Sequence, residues 1–319
     1  MAVLSLNDRS RLVAETMLAK ADELGLAVHQ VSGATVLDCG SRVAGSLQAG
    51  LLMARACLAD LATVSLVPGE VAGAPLPRVV VDVLHPVPAC MASQYAGWQV
   101  SVGDYFAMGS GPMRAMYAKE ELFSEKVFER FKERPTCAVG ILETSKVPTP
   151  EVIAYLSDRV ILKPRHLILL IARTASLAGG VQVVARSVET ALHKLHALKF
   201  DLSRIVAGFG SAPLPPVAKN DMAAIGRTND AVLYGGQVTL YATGDDDTLR
   251  EAAGQLPSSA SSDYGQAFGE IFKRYDHDFY KIDPMLFSPA QVCVQNITTG
   301  NSFIFGKVND DVLSKSFFG

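Results

Sequence analysis

Apolar residues recur along the chain with two different periods, which predicts a mixture of helices and strands. Residues 7–24 and 46–61 repeat apolar side chains every three or four positions, the spacing of one helical face. The first of these helices is predicted to begin with a cap at Asn7. After Gly179 and Gly180, the same spacing predicts one long helix that continues to about residue 198.

Strands are predicted where short runs are rich in β-branched and other apolar residues. These runs lie at residues 63–67, 78–84, 137–142 and 167–172. Two hairpins are also predicted, because short links ending in or containing glycine separate paired apolar segments. The hairpins cover residues 27–31 with 34–38, and 291–297 with 302–308. The fold class predicted from this pattern is α/β, in the mixed α+β sense.

The length of 319 residues indicates two domains, because a single hydrophobic core stops growing at about 250 to 300 residues. We expect an N-terminal α/β domain at 1–130, with the C-terminal strands at 285–319 as a candidate addition to it. A second α/β domain is expected at 131–284, with a substrate cleft between the two. The proline- and charge-rich stretch 129–135 marks the expected crossing.

Composition and charge narrow the classes of partner. The chain is 49% hydrophobic and 19% charged with a net charge of −3, and it has no basic run, so nucleic acid and anionic membranes are not expected partners. Apolar stretches such as 167–172 are far shorter than the roughly 20 residues that cross a bilayer. Charged residues at Asp8, Arg9 and Arg11 argue against a secretory signal, so we expect a cytoplasmic protein.

Cysteine and histidine spacing predicts no metal site. The five cysteines are odd in number and widely scattered, which predicts reduced, mostly buried thiols. His193 and His196 stand three residues apart, but no third ligand lies near them in the sequence.

A glycine-rich segment is the first candidate for ligand binding. It consists of Gly109, Ser110, Gly111 and Pro112, between the apolar run 105–108 and a helical pattern. This order predicts a tight turn that leads into a helix with Pro112 at its first position. Backbone amides in such a turn can approach a ligand closely, although a purely structural turn explains the motif equally well.

Arg186 and Glu189 are the second candidate. They lie three residues apart on one predicted helical face, among apolar residues. If they are buried they must pair, because either charge alone would be costly. A structural ion pair and a catalytic pair both remain open on spacing alone. Asn229, Asp230 and Lys281 stand in polar clusters near glycine or proline, where ligand contacts and helix caps are both common.

The run YFAMGSGP at 105–112 resembles the methenyltetrahydromethanopterin cyclohydrolases. Further segments resemble the same family, in the same order along the chain. They are VLDCG at 36–40, AGWQ at 96–99, RSVETA at 186–191, TND at 228–230, DYG at 263–265 and DFYKIDP at 278–284.

This resemblance implies two α/β domains that hold a pterin between them, a homotrimer, and no metal or redox cofactor. Tetrahydromethanopterin or its dephospho form would be the one-carbon carrier substrate. Arg186 and Glu189 fall on the arginine and glutamate of the family's active-site helix. Tyr95 is a departure, because archaeal members carry a lysine there. The expected substrate contacts are Gly109, Ser110, Gly111, Pro112, Tyr95, Asn229, Asp230 and Lys281.

The expected reaction is hydrolysis of the methenyl bridge of 5,10-methenyltetrahydromethanopterin to the 5-formyl compound, a step of one-carbon metabolism. Glu189 would take a proton from the attacking water, and Arg186 would keep that carboxylate ionised and oriented. Two alternatives remain. One is a pterin-binding protein without catalysis, which the presence of both Arg186 and Glu189 argues against. The other is a cyclohydrolase acting on methenyltetrahydrofolate.

Overall fold

The computed structural model describes residues 5–319, apart from the side chain of Tyr280. Contacts between Cα atoms divide the chain into two units. The first contains the chain up to Ala62 together with Pro88–Gln182, and the second contains Thr63–Val87 together with Val183–Gly319. The chain therefore enters the second unit twice.

The strands and helices follow each other as a mixed α/β sequence, as predicted. The strands are β1 (Ala27–Val31), β2 (Ala34–Gly40), β3 (Ala62–Val67), β4 (Glu70–Val71), β5 (Ala74–Pro75), β6 (Arg78–Val83), β7 (Trp98–Val102), β8 (Tyr105–Ser110), β9 (Ala138–Glu143), β10 (Leu167–Ala172), β11 (Ile205–Pro213), β12 (Gln237–Ala242), β13 (Gln291–Asn296) and β14 (Ser302–Gly306). The α-helices are α1 (Leu6–Ala19), α2 (Ala21–Leu24), α3 (Leu47–Cys57), α4 (Met113–Tyr117), α5 (Lys126–Glu129), α6 (Pro150–Val160), α7 (Leu177–Val184), α8 (Ser187–Ala197), α9 (Asp221–Gly235), α10 (Asp246–Gln255), α11 (Phe268–Arg274) and α12 (Asp310–Phe318). A π-helix covers Val87–Gln94.

The first unit is built on a six-stranded sheet in the order β1-β2-β10-β9-β8-β7. Strands β2, β10 and β9 are parallel, and the outer strands pair antiparallel. One core cluster joins α1 and α3 to one face, through residues such as Met17 and Met53. A second cluster joins α6 to the other face and includes Leu156 and Trp98. Trp98 is 4% exposed and stacks on Tyr117, so its role is core packing.

The second unit is built on a six-stranded sheet in the order β14-β13-β12-β11-β6-β3. Strands β12 and β13 are parallel, whereas β11 pairs antiparallel with both β6 and β12. Helix α8 packs on β11, β12 and β6, and α9 packs against α11 and α12. Helix α8 is therefore positioned by its packing on this sheet.

The predicted hairpins are confirmed. β1 and β2 are joined by Ser32 and Gly33, which have φ angles of 50° and 91°. Positive φ at both positions is the requirement of the two-residue turn that best matches strand twist. β13 and β14 form the C-terminal hairpin.

The predicted domain boundary near residue 130 does not match this division. β3 and β6 come early in the chain, yet they belong to the sheet of the second unit. The C-terminal strands β13 and β14 join that same sheet instead of the first unit. The reason is strand pairing over long sequence distances, which the local pattern does not encode. Within the described residues, no helix is both long enough and apolar enough to cross a membrane.

Candidate active site

The predicted long helix after Gly180 is wrong, because it is broken at Arg186. α7 ends at Val184 and α8 begins at Ser187. Arg186 has φ −91° and ψ 10°, and its amide donates to the carbonyl oxygen of Val183 at 3.1 Å. The break places Arg186 at the cap position of α8 and Glu189 in its first turn.

Arg186 and Glu189 are both buried, at 9% and 5% exposure. Val188 and Leu192 beside them are fully buried. The first turn of a helix carries unpaired amides and the positive end of the helix dipole, so it stabilises a negative charge such as that of Glu189. The pairing of the two side chains stays a prediction.

Two glycines of β11 set the position of α8 on the sheet. A Cβ at residue 210 would lie 2.5 Å from Oγ of Ser187 and 2.9 Å from Cγ2 of Val188. A Cβ at residue 208 would lie 2.7 Å from Cγ1 of Val188. A side chain at 208 or 210 would therefore crowd Ser187 and Val188 in the first turn of α8, the turn that carries Glu189.

Sequence reasoning missed Gly208 and Gly210, although a signal was present. They stand two apart in a strand-like run, so they lie on one face, and glycine inside a strand often marks a close approach of another backbone or helix.

The predicted turn at Gly109–Pro112 is confirmed. Gly109 and Ser110 end β8, and Gly111 has φ 86°. Pro112 takes the cap position of α4 instead of its first helical position, so the helix begins at Met113, one residue later than predicted. The amide of Gly111 donates to the carbonyl oxygen of Ser93 at 2.9 Å. Residue 111 must be glycine because φ is positive and a Cβ would strike Ile141.

Asn7 supports this turn from the first helix. Its Nδ2 donates to the carbonyl oxygen of Pro112 at 2.9 Å, and its Oδ1 accepts from the amide of Val139 at 2.8 Å. The prediction that Asn7 caps the helix is wrong: Ser5 takes that position and accepts from the amide of Asp8. A buried asparagine at the start of a helix looks like a cap in sequence, because both uses favour the same residue type.

The structure brings Tyr95 next to the glycine turn through Arg114. This guanidinium is fully buried. It donates to the carbonyl oxygens of Met91 and Ser93 at 3.0 and 3.1 Å, and it forms an ion pair with Glu120. Its Cζ lies 5.0 Å from the centre of the Tyr95 ring. The carbonyl oxygen of Ser93 accepts from both Arg114 and Gly111. Arg114 and Ser93 therefore connect the end of the π-helix, the glycine turn and the ring of Tyr95.

Comparison with known proteins places these features in a family. The family model described as Cyclohydrolase (MCH) matches residues 5–317. The chain belongs to this family. A methenyltetrahydromethanopterin cyclohydrolase of Rhodopirellula baltica is 48% identical over 90% of the chain and 87% of its own length. Proteins of the same name are 45% identical in Xanthobacter autotrophicus, over 96% of the chain and 90% of their length, and 42% identical in Methanocaldococcus jannaschii, over 98% of both.

In this cyclohydrolase, Asp230 connects three helices through hydrogen bonds of its side chain. Its Oδ1 accepts from the amide of Phe268 at 2.8 Å, its Oδ2 accepts from the hydroxyl of Ser316 at 2.6 Å, and the residue is 1% exposed. Burial raises its pKa to about 7. These contacts give Asp230 a structural role between α9, α11 and α12. Asn229 donates to the carbonyl oxygen of Ile225 one turn earlier in α9.

Lys281 lies in a more open part of this cyclohydrolase. Its side chain is 55% exposed, and its Nζ lies 3.9 Å from Oδ2 of Asp276. The following segment is attached to α8, because the buried Lys194 donates to the carbonyl oxygens of Pro257 and Met285 at 2.8 and 2.6 Å. Burial lowers the pKa of Lys194 to about 8. The substrate contacts of Asn229, Asp230 and Lys281 stay predictions.

His193, one turn after Glu189 on α8, is a neutral residue of the same helix. Burial, followed by the neighbouring His196, lowers the pKa of His193 to about 4. Among the described residues, no group of three or more His, Cys, Asp and Glu side chains is arranged to hold a metal ion.

Proposed function

We propose that this member of the cyclohydrolase family hydrolyses the methenyl bridge of 5,10-methenyltetrahydromethanopterin, or of its dephospho form, to the 5-formyl compound. The observation that carries the proposal is the family match over residues 5–317, together with a relative named methenyltetrahydromethanopterin cyclohydrolase at 48% identity. The buried carboxylate of Glu189 at the start of α8 also supports the proposal, because a carboxylate can act as the base in this hydrolysis.

The substrate needs little activation. The methenyl carbon lies between two nitrogens in an amidinium-like cation, so it is already electrophilic. Water adds its oxygen to that carbon while Glu189 takes a proton from the water. The hydrated carbon then becomes a carbonyl as one carbon–nitrogen bond breaks, and the released nitrogen receives a proton. The cation and water thus yield the neutral formyl compound and one proton.

Glu189 is proposed as the base and Arg186 as the residue that orients it. A negative charge at the start of α8 also attracts the cationic substrate. General base catalysis of this kind typically contributes about 100- to 10,000-fold in rate. Arg186 is the cap residue of α8, three residues before Glu189. At this spacing a guanidinium can reach a carboxylate in the first turn and orient it.

The glycine turn and Tyr95 are proposed to contact the pterin. The amide of Gly111 donates to the carbonyl oxygen of Ser93, and Asn7 donates to the carbonyl oxygen of Pro112, so two hydrogen bonds hold the turn in place. A tyrosine ring where archaeal relatives have lysine replaces a cation by a flat surface, which suits stacking on a flat ring more than pairing with an anionic group.

The test is the loss of methenyl absorbance with purified protein, measured against the spontaneous rate. Methenyltetrahydromethanopterin, its dephospho form and methenyltetrahydrofolate are compared side by side. Fast decay with the methanopterin substrates alone supports the proposal. Faster decay with the folate would replace it by the folate reaction, and tight binding without acceleration would replace it by a non-catalytic pterin protein.

Three further properties are proposed from the family resemblance. The reaction uses no metal or redox cofactor, the protein is a homotrimer, and it is located in the cytoplasm. The five free cysteines suit a reducing compartment. Cell fractionation tests the location, and light scattering of the purified protein tests the number of subunits.

A further inference from the structure

Lys194 on α8 is a buried lysine that the proposed reaction does not use. It is 1% exposed, and its Nζ donates to the carbonyl oxygens of Pro257 and Met285 at 2.8 and 2.6 Å. Burial lowers its pKa to about 8, and the charge of Asp283 opposes this shift. Lysine is almost never fully buried unless it is paired, so these two contacts indicate a specific role.

The two acceptors of Lys194 lie in stretches of chain without α-helix or strand. Pro257 comes directly before a single turn of 3-10 helix at Ser258–Ala260. Met285 lies in residues 275–290, which join α11 to β13 and contain two short 3-10 helices. We call residues 275–290 the α11–β13 connection. One side chain of α8 therefore binds two separate stretches of the chain.

The same two stretches are also bonded to each other. Oδ2 of Asp283 accepts from the hydroxyl of Ser261 at 2.7 Å and from the amide of Ser262 at 3.0 Å. The amide of Asp283 donates to Oδ2 of Asp263 at 3.1 Å. The two stretches are thus joined by hydrogen bonds, and Lys194 attaches the joined pair to α8.

Of the two partners, α8 is the one whose position is fixed without Lys194. Val188, Ala191 and Leu192 are fully buried, and the helix packs on β6, β11 and β12. The α11–β13 connection has no strand ladder and no α-helical hydrogen bonds, so its buried backbone groups must be satisfied by neighbouring elements. Lys194 therefore positions the connection, and the connection does not position the helix.

The α11–β13 connection carries Lys281, one of the expected substrate contacts. Lys281 precedes Met285 by one short stretch of the same connection, and its side chain is 55% exposed. Its Nζ lies 3.9 Å from Oδ2 of Asp276, whose side chain is 87% exposed. An exposed ion pair of this kind contributes little to stability, so the ammonium can exchange it for a negatively charged group of a ligand.

We propose that Lys194 is a positioning residue for substrate binding, because it holds the α11–β13 connection where Lys281 contacts a negatively charged group of the pterin substrate. This inference rests on the proposed function. The five residues from Glu189 to Lys194 correspond to about 7.5 Å along a helix axis and about 140° around it, so the two side chains leave α8 on different sides. Glu189 acts in the chemical step, whereas Lys194 acts in binding.

The first experiment compares the steady-state kinetics of the wild type, Lys194→Met and Lys315→Met with the methenyl substrate. Methionine is similar in length to lysine but has no N–H donor. Lys315 is the matched control, because its Nζ binds Oε1 of Glu270 at 3.0 Å but its side chain is 65% exposed. Lys194→Met should raise KM about 10-fold or more and change kcat by less than about 3-fold. Lys315→Met should keep the wild-type values of both.

A double variant tests whether Lys194 acts through Lys281. Lys281→Met alone should also raise KM. In Lys194→Met/Lys281→Met the rise in KM should not exceed that of Lys194→Met, because the contact of Lys281 is then already lost. An unchanged KM in Lys281→Met would overturn the proposal. A rise in the double variant equal to the product of the two single effects would overturn it as well, because the residues would then act independently.

Lys194→Ala keeps the proposal testable if Lys194→Met does not fold. Alanine leaves space for a small amine, and propylammonium supplies the lost N–H donors. Added propylammonium should restore KM towards the wild-type value, whereas tetramethylammonium, a cation without an N–H donor, should not. Restoration by both cations or by neither would exclude hydrogen bonding by Lys194 as the cause.

Hydrogen exchange measures the attachment without substrate. Amides of residues 257–263 and 275–290 should exchange faster in Lys194→Met than in the wild type, while those of α8 and β11 stay unchanged. Unchanged exchange in both stretches, or a lower kcat with an unchanged KM, would contradict the role of Lys194. A wild type without turnover of the pterin would refute the proposed function, whereas the exchange rates decide the attachment separately.

Discussion

Ser187 at the start of α8 lies directly over Gly210 of β11, so close that a Cβ on residue 210 would come within 2.5 Å of the serine hydroxyl oxygen. Only the side chains of Ser187 and Val188 therefore separate this turn of the helix from the backbone of the strand. Glu189 lies two residues further along the same turn. The placement of the proposed base therefore depends on a glycine in a different element.

Gly210→Ala is expected to impair catalysis by lifting the first turn of α8. Misplacement of a reacting group by about 1 Å can cost roughly 100-fold in rate, and overpacking costs about 1–3 kcal/mol in stability. Steady-state kinetics and urea unfolding measure both. Gly269→Ala is the control, because a Cβ there meets nothing within 4 Å. Equal behaviour of the two variants would contradict the proposed contact.

Glu189→Gln is expected to lower the rate of the chemical step by about 100- to 10,000-fold while substrate still binds, since the amide keeps the shape of the acid but cannot take a proton. Single-turnover absorbance changes and a binding titration separate the two effects. Glu151→Gln is a matched control, because Glu151 is an exposed acid in the first turn of α6. Wild-type turnover in Glu189→Gln would rule out the assigned base.

Arg114→Leu is expected to cost about 3–5 kcal/mol in the free energy of unfolding, because it leaves Glu120 and the carbonyl oxygens of Met91 and Ser93 without their buried partner. Arg11→Leu breaks the exposed pair with Glu15 and should change stability by no more than about 1 kcal/mol. Urea unfolding compares the two. Similar costs would show that burial of Arg114 is not what matters.

Stability should depend on pH through Asp230. Its folded pKa is raised to about 7, above the ordinary value of 3.8, so the fold favours the neutral acid. This contribution is complete below pH 4, decreases as the pH rises towards 7, and is lost above it, with a slope of at most about 1.4 kcal/mol per pH unit.

Asp230→Asn isolates this effect. The amide can still accept from Phe268 and donate to Ser316, but it does not titrate. The difference in unfolding free energy between wild type and variant, measured from pH 4 to pH 9, should move in favour of the variant up to about pH 7 and then stay constant. A difference that does not change with pH would exclude the raised pKa.

Removal of metal ions should leave the activity unchanged. Dialysis against EDTA, followed by the absorbance assay, is expected to give the wild-type rate, because the methenyl carbon is electrophilic without a Lewis acid. Loss of activity that zinc or magnesium restores would replace the water-and-base mechanism with a metal-assisted one.

The sequence by itself determined the local elements and the family. The alternation and spacing of apolar residues located helices α1 and α3 and several strands of both sheets, and Ser32-Gly33 specified a hairpin turn through its backbone preferences. The segment 105–112 identified the family, because eight consecutive residues with ordered matches elsewhere are a specific signal. These features depend on residues that are close together in the chain.

Only the tertiary structure decided the remaining features, because each depends on residues far apart in sequence. Pairing with β11 assigned β6 to the second unit, and contact with Phe268 and Ser316 buried Asp230. The break of the helix at Arg186 could not be predicted from the apolar pattern, because apolar residues with helical spacing continue on both sides of it. The distance between α8 and the sheet depends on the contact of its first turn with Gly210. The sequence does not show which residue will pack against a given glycine.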